Sequence, residues 1–314
     1  MKKLAVVAFG GNALLQAGQK GTIDEQELNA YEASKNLLNL LKNNYNIVIT
    51  HGNGPQVGNI LLSEQAGLKV HGLPEMPLDV CVAYSQGFIG YMIEQQLRNV
   101  LEANDMDRDI ITIITQVLVN KDDPAFKNPS KPIGPYLSKE EADQMAAETG
   151  SVYKEDKKRG GWRKVVASPK PLVISNKKSI EQLARGGQIV IAVGGGGIPA
   201  FYVEPNKLQG IDAVIDKDLA SALLAKQIGA EKLFILTDVA KVCLSYNTPQ
   251  ERTIDRMNIA EARKYLAEGQ FAEGSMAPKI RAAIDFVENT GKDAIITKTT
   301  LLGVDDGGTR VVFV

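Results

Sequence analysis

The sequence predicts an α/β fold, an open three-layer αβα sandwich in which a mainly parallel sheet lies between two layers of helices. Short apolar runs alternate along the chain with longer amphipathic stretches, which indicates repeated strand–helix units. The short runs are apolar on both faces, as is typical of parallel strands that are covered by helices on both sides. A polar segment near the middle of the chain predicts, in addition, a small protruding subdomain, which we interpret as a lid.

Six segments are predicted to be strands because they are short and apolar and end at turn residues. They are residues 4–9, 46–50, 110–119, 188–193, 232–236 and 293–297. The start of the chain, with Met1, Lys2 and Lys3 before an apolar run, is also similar to a signal peptide. That run is too short and no small-residue cleavage site follows it, so a first strand is the better interpretation.

The predicted helices are marked by their capping residues. Thr22 and Glu25 have the spacing of a capping box before a helix that runs to about residue 41. A third helix spans residues 219–228 and ends at Gly229, which tolerates the left-handed conformation of a helix end. Between them, a second helix places six apolar side chains on one face: Ile89, Met92, Ile93, Leu97, Val100 and Leu101.

Residues 121–170 interrupt the alternation with a polar, basic stretch that is rich in proline and glycine. The stretch contains its own capped helix, from Ser138 to Gly150, and the only tryptophan of the chain, Trp162. A disordered insert would carry fewer aromatic and β-branched residues. We therefore predict that this segment folds as the protruding subdomain.

The composition is that of an ordinary globular protein, with 314 residues, 44% hydrophobic and 23% charged. A net charge of −1 gives no electrostatic reason to expect nucleic acid or a membrane as the main partner. No stretch approaches the roughly 18 apolar residues of a membrane helix. We expect Cys81 and Cys243 to be free, buried thiols, and we expect a cytoplasmic protein.

Three glycine-rich clusters directly follow predicted strands: residues 10–12 (GGN), 51–55 (HGNGP) and 194–197 (GGGG). Ligands of open α/β sheets bind outside the carboxyl ends of the strands, and glycine lets a ligand approach the main chain. If a helix starts at the first cluster, its N–H groups favour an anion. Three such clusters at one sheet edge predict an anion site.

Other familiar sites are not predicted. No P-loop motif occurs, and residues 195–200 fit a dinucleotide motif only formally, because Pro199 and a strand-like run follow where a helix is required. His51 and His71, the only histidines, lie far apart, so we do not expect a histidine–metal site. His51 is expected to hydrogen-bond a loop rather than to act as a base. No Ser-His-Asp arrangement is evident.

Lys217 and Lys279 lie near the starts of two predicted helices, where a positive charge opposes the helix dipole. We therefore expect both side chains to face an anion. Lys131 is either an ordinary loop lysine or a cation that its stiff, proline-rich setting holds in place. Three carboxylates are candidates for binding Mg²⁺, although orientation of the lysines is the role we favour for one of them: Asp212, Asp216 and Asp218.

Eight motifs together resemble carbamate kinases of the amino-acid-kinase superfamily: AFGGNAL, THGNGPQVG, SQGFIGYMI, NPSKPIGP, GGWRKVVASPKP, GGGGIP, IDKDLAS and GSMAPK. They occur in the family's order over nearly the whole chain. The region of Lys131 and Trp162 resembles the protruding subdomain that distinguishes carbamate kinases from acetylglutamate kinases. Tyr84 and Ala277 are small departures at positions whose chemistry is not needed for the resemblance.

The resemblance implies an N-terminal lobe, residues 1–210, that holds carbamate and dimerises, with the protruding subdomain at about residues 121–170. It implies a C-terminal lobe, residues 211–314, that holds the nucleotide. The implied reaction is ATP + carbamate ⇌ ADP + carbamoyl phosphate, with Mg²⁺ on the nucleotide phosphates and no metal held by the protein alone. The family suggests ATP synthesis, as in arginine breakdown, by a cytoplasmic homodimer.

The resemblance also implies site residues. The transferring phosphoryl group would be cradled by Gly10, Gly11 and Asn12, and carbamate would lie among Gly52, Asn53 and Gly54. Lys217 and Lys279 would neutralise the phosphates, Asp216 would orient these lysines, and Lys131 would reach down from the lid to the substrate. The nucleotide would contact Gly10, Asp216, Lys217 and Lys279, and its adenosine would lie among residues 237–242, Tyr246 and residues 276–278, with Thr237, Asp238, Val242, Met276, Ala277 and Pro278 as contacts.

Two alternatives remain at this point. One is a related kinase that phosphorylates another small carboxylate, such as acetylglutamate or aspartate. The other is a nucleotide-binding sensor or storage protein of the same fold without turnover. The lid-like segment argues against the first, and the lysines aimed at a reacting group argue against the second.

Overall fold

The computed structural model describes residues 2–16, 18–156 and 160–314, with Asn12 described by its backbone alone. Met1 of the signal-like start and residues 157–159 of the predicted subdomain lie outside the described residues. The described chain forms a central sheet of eight strands. From edge to edge they are β15 (Arg256–Asn258), β17 (Gly308–Val312), β16 (Ala294–Lys298), β12 (Lys232–Thr237), β1 (Lys3–Phe9), β2 (Tyr45–His51), β9 (Ile189–Ile191) and β3 (Ile110–Thr112).

β1 lies in the middle of this sheet, parallel to β2 on one side and to β12 on the other. Successive side chains of a strand point to opposite faces. Leu4 and Val6 accordingly join one buried cluster, whereas Ala5, Val7 and Phe9 join another. Both faces of the strand are therefore covered, as its apolar sequence predicts.

Helices supply the two outer layers. One face of the sheet packs against α1 (Ile23–Lys42) and α3 (Leu78–Glu102), and the other against α5 (Lys177–Gly186), α6 (Lys217–Gln227), α7 (Ile259–Ala267) and α8 (Met276–Thr290). Thr22 and Glu25 form the predicted capping box of α1. The predicted αβα sandwich is confirmed, and its sheet runs without a break through both proposed lobes because β12 pairs with β1.

Smaller sheets surround the sandwich. One contains β11 (Lys207–Gly210), β10 (Ile198–Glu204), β4 (Gln116–Leu118) and β8 (Val173–Ile174), and another pairs β13 (Val242–Leu244) with β14 (Arg252–Ile254). Short 3-10 helices span Gly11–Ala13, Pro124–Phe126, Gly194–Gly196 and Thr299–Leu301. The helix considered after residues 10–12 is thus a single 3-10 turn, because the first long helix begins only at Ile23.

The interrupting segment is folded, as predicted. It forms a three-stranded sheet of β5 (Lys131–Leu137), β7 (Trp162–Val166) and β6 (Val152–Glu155), together with α4 (Lys139–Thr149). Ser138 and Glu141 make a capping box at the start of α4, and Gly150 ends it in the left-handed conformation. The base of this subdomain packs on α2 (Gly54–His71), a helix whose first turn contains Pro55. We call this subdomain the lid.

The predicted strand at residues 110–119 is wrong as a single element. Its first part is β3, which pairs with β9, and its second part is β4, which pairs with β10 in another sheet. The side chain of Gln86 holds the backbone at the break, because it accepts from the Thr115 N–H at 2.7 Å and donates to the Thr115 carbonyl at 3.1 Å. The Thr115 carbonyl also accepts from the Ile198 N–H at 2.9 Å, where β4 begins to pair with β10.

Both cysteines are free, as predicted, but they differ in burial. Cys81 is buried, whereas Cys243 is partly exposed, so the expectation that both thiols are buried is wrong for Cys243. The reason is that Cys243 lies in the short β13–β14 pair outside the main sheet, between the buried Val242 and Leu244. Among the helices of the described residues, none combines the length and apolar character needed to span a membrane.

Candidate functional site

The loops that follow β12, β1, β2 and β9 meet at one edge of the sheet, because these four strands are adjacent and parallel. Gly10 follows β1 and packs against β12: a Cβ atom there would lie 3.0 Å from the Leu236 carbonyl oxygen. Gly52 follows β2, and a Cβ atom there would lie 3.3 Å from the Lys217 side chain and 4.0 Å from the Gly11 nitrogen. The first two glycine clusters and Lys217 therefore lie together, as the sequence predicts.

Gly11 differs from its neighbours in having open space above it. It is exposed, and no atom lies within 4 Å of the position that a Cβ atom would take. The side chain of Asn12 lies outside the described residues, so its predicted role stays a prediction. Gly54 begins α2, and a Cβ atom on it would lie 3.8 Å from the Pro132 carbonyl oxygen of the lid.

The third glycine cluster is buried and packs against protein atoms. The prediction that it lines an open anion site is therefore wrong. A Cβ atom on Gly194 would lie 2.4 Å from Nε2 of His51, and one on Gly195 would lie 2.2 Å from Nδ2 of Asn53. On Gly196 it would lie 2.4 Å from the Ile215 carbonyl oxygen. These glycines are needed because three segments of backbone and side chain approach one another closely here.

His51 and Asn53 are buried supports of the second loop. Nδ1 of His51 lies 3.0 Å from the Gly52 carbonyl oxygen, as expected for a histidine that bonds a loop. Burial lowers the pKa of His51 to about 4, with the nearby charge of Lys217 acting in the same direction. Asn53 donates from Nδ2 to the hydroxyl of Ser85 at 2.9 Å. A neutral His51 fits a structural role better than that of a general base.

Two lysines share one carboxylate at the centre of the site. Lys217 is the first residue of α6, and its ammonium group donates to Oδ1 of Asp218 at 2.5 Å. Lys279, in the first turn of α8, donates to Oδ2 of the same carboxylate at 3.0 Å. The exposed fractions of the three side chains are only 11%, 13% and 4%, for Lys217, Lys279 and Asp218 respectively.

Asp216 makes its hydrogen bonds with the lid and with the start of α6. It accepts a 2.6 Å hydrogen bond from Lys131 of the lid, and its other oxygen accepts from the N–H groups of Asp218 and Leu219 as the N-cap of α6. The hydrogen bonds of Lys217 and Lys279 go to Asp218, whereas Asp216 acts on both lysines through its charge, so the prediction that Asp216 orients them stays a prediction. As the cap, Asp216 bonds to Lys131 of the lid, whereas Asp218, two residues further along, bonds to Lys217 and Lys279.

The pKa values of these groups reflect burial and mutual charge. Burial lowers the pKa of Lys217, and the charge of Asp218 opposes this effect. Burial also acts to lower the pKa of Lys279, but the charge of Asp218 and its hydrogen bond raise it overall. For Asp218 and Asp216, burial acts to raise the pKa, and the adjacent lysines hold it below its usual range. Asp216, Asp218 and Lys279 are therefore charged near neutral pH, and the Asp218 carboxylate favours the charged form of Lys217.

The side chains of Lys131, Lys217 and Lys279 thus converge on the carboxylates of Asp216 and Asp218, and the charges of Asp238 and Arg281 also act on this cluster. Three lysines at one site can bind an anion, and exposed glycine backbone beside them allows phosphate-sized groups to come close. The hydroxyl of Thr50 lies 2.5 Å from that of Ser221, which donates to the Lys217 carbonyl oxygen at 2.6 Å and so ties α6 to β2. Sequence reasoning missed this link, since neither residue belongs to a glycine cluster.

The residues predicted for adenosine fall into two groups. Tyr246 and Asp238 are exposed, and Thr237, Met276 and Pro278 are partly exposed near the end of β12 and the start of α8. The other two, Val242 and Ala277, are fully buried in the core. A fully buried side chain cannot contact a ligand, so Val242 and Ala277 can only support the exposed residues by packing beneath them.

Within the residues that the structure describes, no group of three or more His, Cys, Asp or Glu side chains is placed to hold a metal ion. The carboxylates of the site are already engaged by lysines. The donor set therefore suits a cation that arrives with phosphate oxygens as its main ligands, such as Mg²⁺ on a nucleotide.

The family model described as "Amino acid kinase family" matches residues 3–298. Its span includes the glycine loops, the lid and all three lysines. The chain belongs to the amino acid kinase family.

Within that family the similarity is to carbamate kinases over almost the whole chain. The carbamate kinase of Pyrococcus horikoshii is 49% identical over 296 residues, which covers 94% of each chain. That of Giardia intestinalis is 46% identical over 314 residues, which covers 99% of this chain and 98% of the relative. A solved structure, carbamate kinase from Giardia lamblia bound to AMP-PNP, is 46% identical with a TM-score of 0.90 and covers 100% of this chain and 99% of that one.

Proposed function

We propose that this chain is a phosphotransferase that catalyses the reversible reaction ATP + carbamate ⇌ ADP + carbamoyl phosphate. The observation that carries the proposal is the convergence of Lys131, Lys217 and Lys279 at the sheet edge where the glycine loops end. The similarity to carbamate kinases supports carbamate as the phosphoryl acceptor, and the AMP-PNP complex of one relative supports ATP as the donor.

The chemistry needs little more than this arrangement. The attacking oxygen of carbamate already carries negative charge, so no general base has to create the nucleophile. Phosphoryl transfer then depends on positioning the reactants and on neutralising the charge of the transferring group. Fixed lysines supply that neutralisation, and a His51 that stays neutral at pH 7 has no proton-transfer role to fill.

We assign roles from the position of each group. Gly10, Gly11 and Asn12 cradle the transferring phosphoryl group, and Gly52, Asn53 and Gly54 surround carbamate. Lys217 and Lys279 neutralise the phosphate oxygens from below. Lys131 approaches from the lid and exchanges its carboxylate partner for substrate. Asp218 positions the two buried lysines, and Asp216 positions Lys131 and caps α6.

The nucleotide belongs on the C-terminal lobe, residues 211–314. The adenosine would lie between the exposed side chains after β12 and the start of α8, with Tyr246 and Met276 as its closest apolar neighbours. Val242 and Ala277 would form the floor behind it. Mg²⁺ would come with the phosphates and add positive charge at the transferring group, and the residues present fit that role because none of them has to bind the metal alone.

Three finer points complete the proposal. We assign the physiological direction to ATP synthesis from carbamoyl phosphate, in arginine breakdown. We also propose a homodimer of the N-terminal lobe, residues 1–210, and its support is the exposure of Tyr84 and Tyr91 on one side of α3, at 46% and 60%. A cytoplasmic location fits the two unpaired cysteines.

The decisive experiment measures ATP production from ADP, Mg²⁺ and carbamoyl phosphate, with acetyl phosphate as the control donor. Rapid synthesis from carbamoyl phosphate and much slower synthesis from acetyl phosphate support both the reaction and the acceptor. A folded protein that binds ADP but makes no ATP from either donor would overturn the proposal. It would direct attention to another small carboxylate or to a sensor without turnover.

A further inference from the structure

We propose that Gly58, Gly134 and Arg163 are positioning residues that hold Lys131 over the phosphoryl-transfer site. This inference rests on the role given to Lys131 in the proposed function. None of the three residues belongs to the glycine loops or to the lysine–aspartate cluster. Together they fix where the lid stands on the body of the protein.

The first contact is between two backbones. A Cβ atom on Gly58, the fifth residue of α2, would lie 2.0 Å from both Cα and the nitrogen of Gly134 in β5. Real Cβ atoms do not approach other heavy atoms so closely, so any other residue at position 58 forces the lid strand away. Glycine inside a helix is otherwise unfavourable by about 1 kcal/mol relative to alanine. The close crossing of β5 explains why glycine is needed at position 58.

The second contact is between the side chain of Arg163 and the backbone of Gly134. Arg163 of β7 is buried, and its Nε and Nη2 both donate to the Gly134 carbonyl oxygen, at 3.0 and 2.7 Å. Its guanidinium carbon also lies 5.0 Å from the centre of the Tyr136 ring. Gly134 has a φ of +73°, a conformation that L side chains rarely adopt. Arg163 thus stabilises the bend that lets β5 cross α2.

The third observation links this crossing to Lys131. Ile133, the neighbour of Gly134, is 1% exposed and packs with Val57 and Leu61 of α2 in one apolar cluster. Lys131 lies two residues earlier on the same strand and reaches Asp216 at 2.6 Å. A displacement of β5 on α2 therefore moves the Lys131 ammonium group directly. It also separates the lid from Gly54, the proposed carbamate contact at the start of the same helix.

The test compares Gly58→Ala with Gly67→Ala. Both glycines lie in α2, but a Cβ atom on Gly67 would meet only ordinary contacts, the nearest at 3.7 Å from Leu73. We expect Gly58→Ala to lower kcat/KM for carbamoyl phosphate roughly 10- to 100-fold, since small misplacements of a catalytic group have effects of that size. The KM for ADP should stay within about twofold, and Gly67→Ala should behave like the wild type.

A double-mutant cycle separates positioning from general damage. If Gly58 acts through Lys131, Gly58→Ala should cause little further loss in an enzyme that already carries Lys131→Ala. An equal loss in both backgrounds, or no loss from Gly58→Ala, would overturn the proposal. Arg163→Lys keeps the charge but not the paired donors. It should give the same pattern more mildly, and it serves as the second test if Gly58→Ala does not fold.

Amide hydrogen exchange supplies a readout that needs no activity. Gly58→Ala should speed the exchange of the β5 and β7 amides, whereas Gly67→Ala should not, and unchanged exchange in β5 would also overturn the proposal. A wild-type enzyme inactive towards carbamoyl phosphate would contradict the proposed function alone. The exchange result would then still decide whether these residues fix the lid.

Discussion

Lys131 of the lid and Asp216 at the start of α6 form a 2.6 Å ion pair although 85 positions separate them in the sequence. The second oxygen of Asp216 accepts from the N–H of Asp218 at 2.9 Å. The pair therefore joins the lid to the helix that presents Lys217. A phosphate group that enters the site competes with Asp216 for the Lys131 ammonium group, so the contact connects lid position with occupancy of the site.

Lys131→Ala should lower kcat for ATP synthesis roughly a hundredfold, because it removes one preorganised charge from the transition state. The free energy of unfolding should also fall, because the Asp216 side chain is only 15% exposed and loses its charge partner. Steady-state kinetics and urea unfolding check both parts. Lys139→Ala, which removes an exposed lid cation paired with Asp143, is the control and should retain full activity. Normal turnover in Lys131→Ala would contradict the assignment.

Most of the fold follows from local sequence patterns. Thr22 with Glu25, and Ser138 with Glu141, mark helix starts that the structure confirms, because capping is a contact between residues three apart. The split of residues 110–119 could not be predicted in the same way. The backbone at the break is held by hydrogen bonds from Gln86, which is 29 positions from Thr115 in the sequence.

Gly11→Ala and Gly195→Ala should have opposite consequences. A Cβ atom on Gly11 meets open space, so the variant should fold normally but lose activity as the methyl group enters the phosphoryl cradle. Gly195 has a φ of +64°, and a Cβ atom there would lie 2.2 Å from Asn53. Gly195→Ala should therefore lose stability, by at least about 1–3 kcal/mol for the overpacking alone. Thermal unfolding and ATP synthesis measured on both variants check this; equal stability losses would contradict it.

The site was predictable in its location but not in its internal pairing. Glycine clusters and helix-start lysines indicate the sheet edge, because those signals are local. Asp216 and Asp218 are two residues apart, and only the helix cap decides which one faces the lid and which faces the lysines. A glycine inside a helix, such as Gly58, indicates a close contact with another segment. The sequence does not show which segment that is, because Gly134 of β5 is 76 positions away.

Asp218→Asn should move the alkaline limb of the pH–activity profile to lower pH. Burial lowers the pKa of Lys217, and the Asp218 carboxylate opposes that effect. Without the carboxylate the lysine loses its proton at lower pH, because an opposite charge at this distance favours the charged form. The measurement is kcat/KM for carbamoyl phosphate against pH. Asp285→Asn, which removes the partner of Lys226 near the surface, is the control and should leave the profile unchanged.

His51 should make the protein less stable in mild acid. Burial lowers its folded pKa to about 4, whereas an unfolded histidine titrates near pH 6.5. Below pH 6.5 the unfolded state binds the extra proton first, so stability falls as the pH drops, by about 2 kcal/mol between pH 7 and pH 5. Urea unfolding at both pH values should show this loss in the wild type and in His71→Gln, an exposed control, but not in His51→Gln. A loss of the same size in His51→Gln would assign it to other groups.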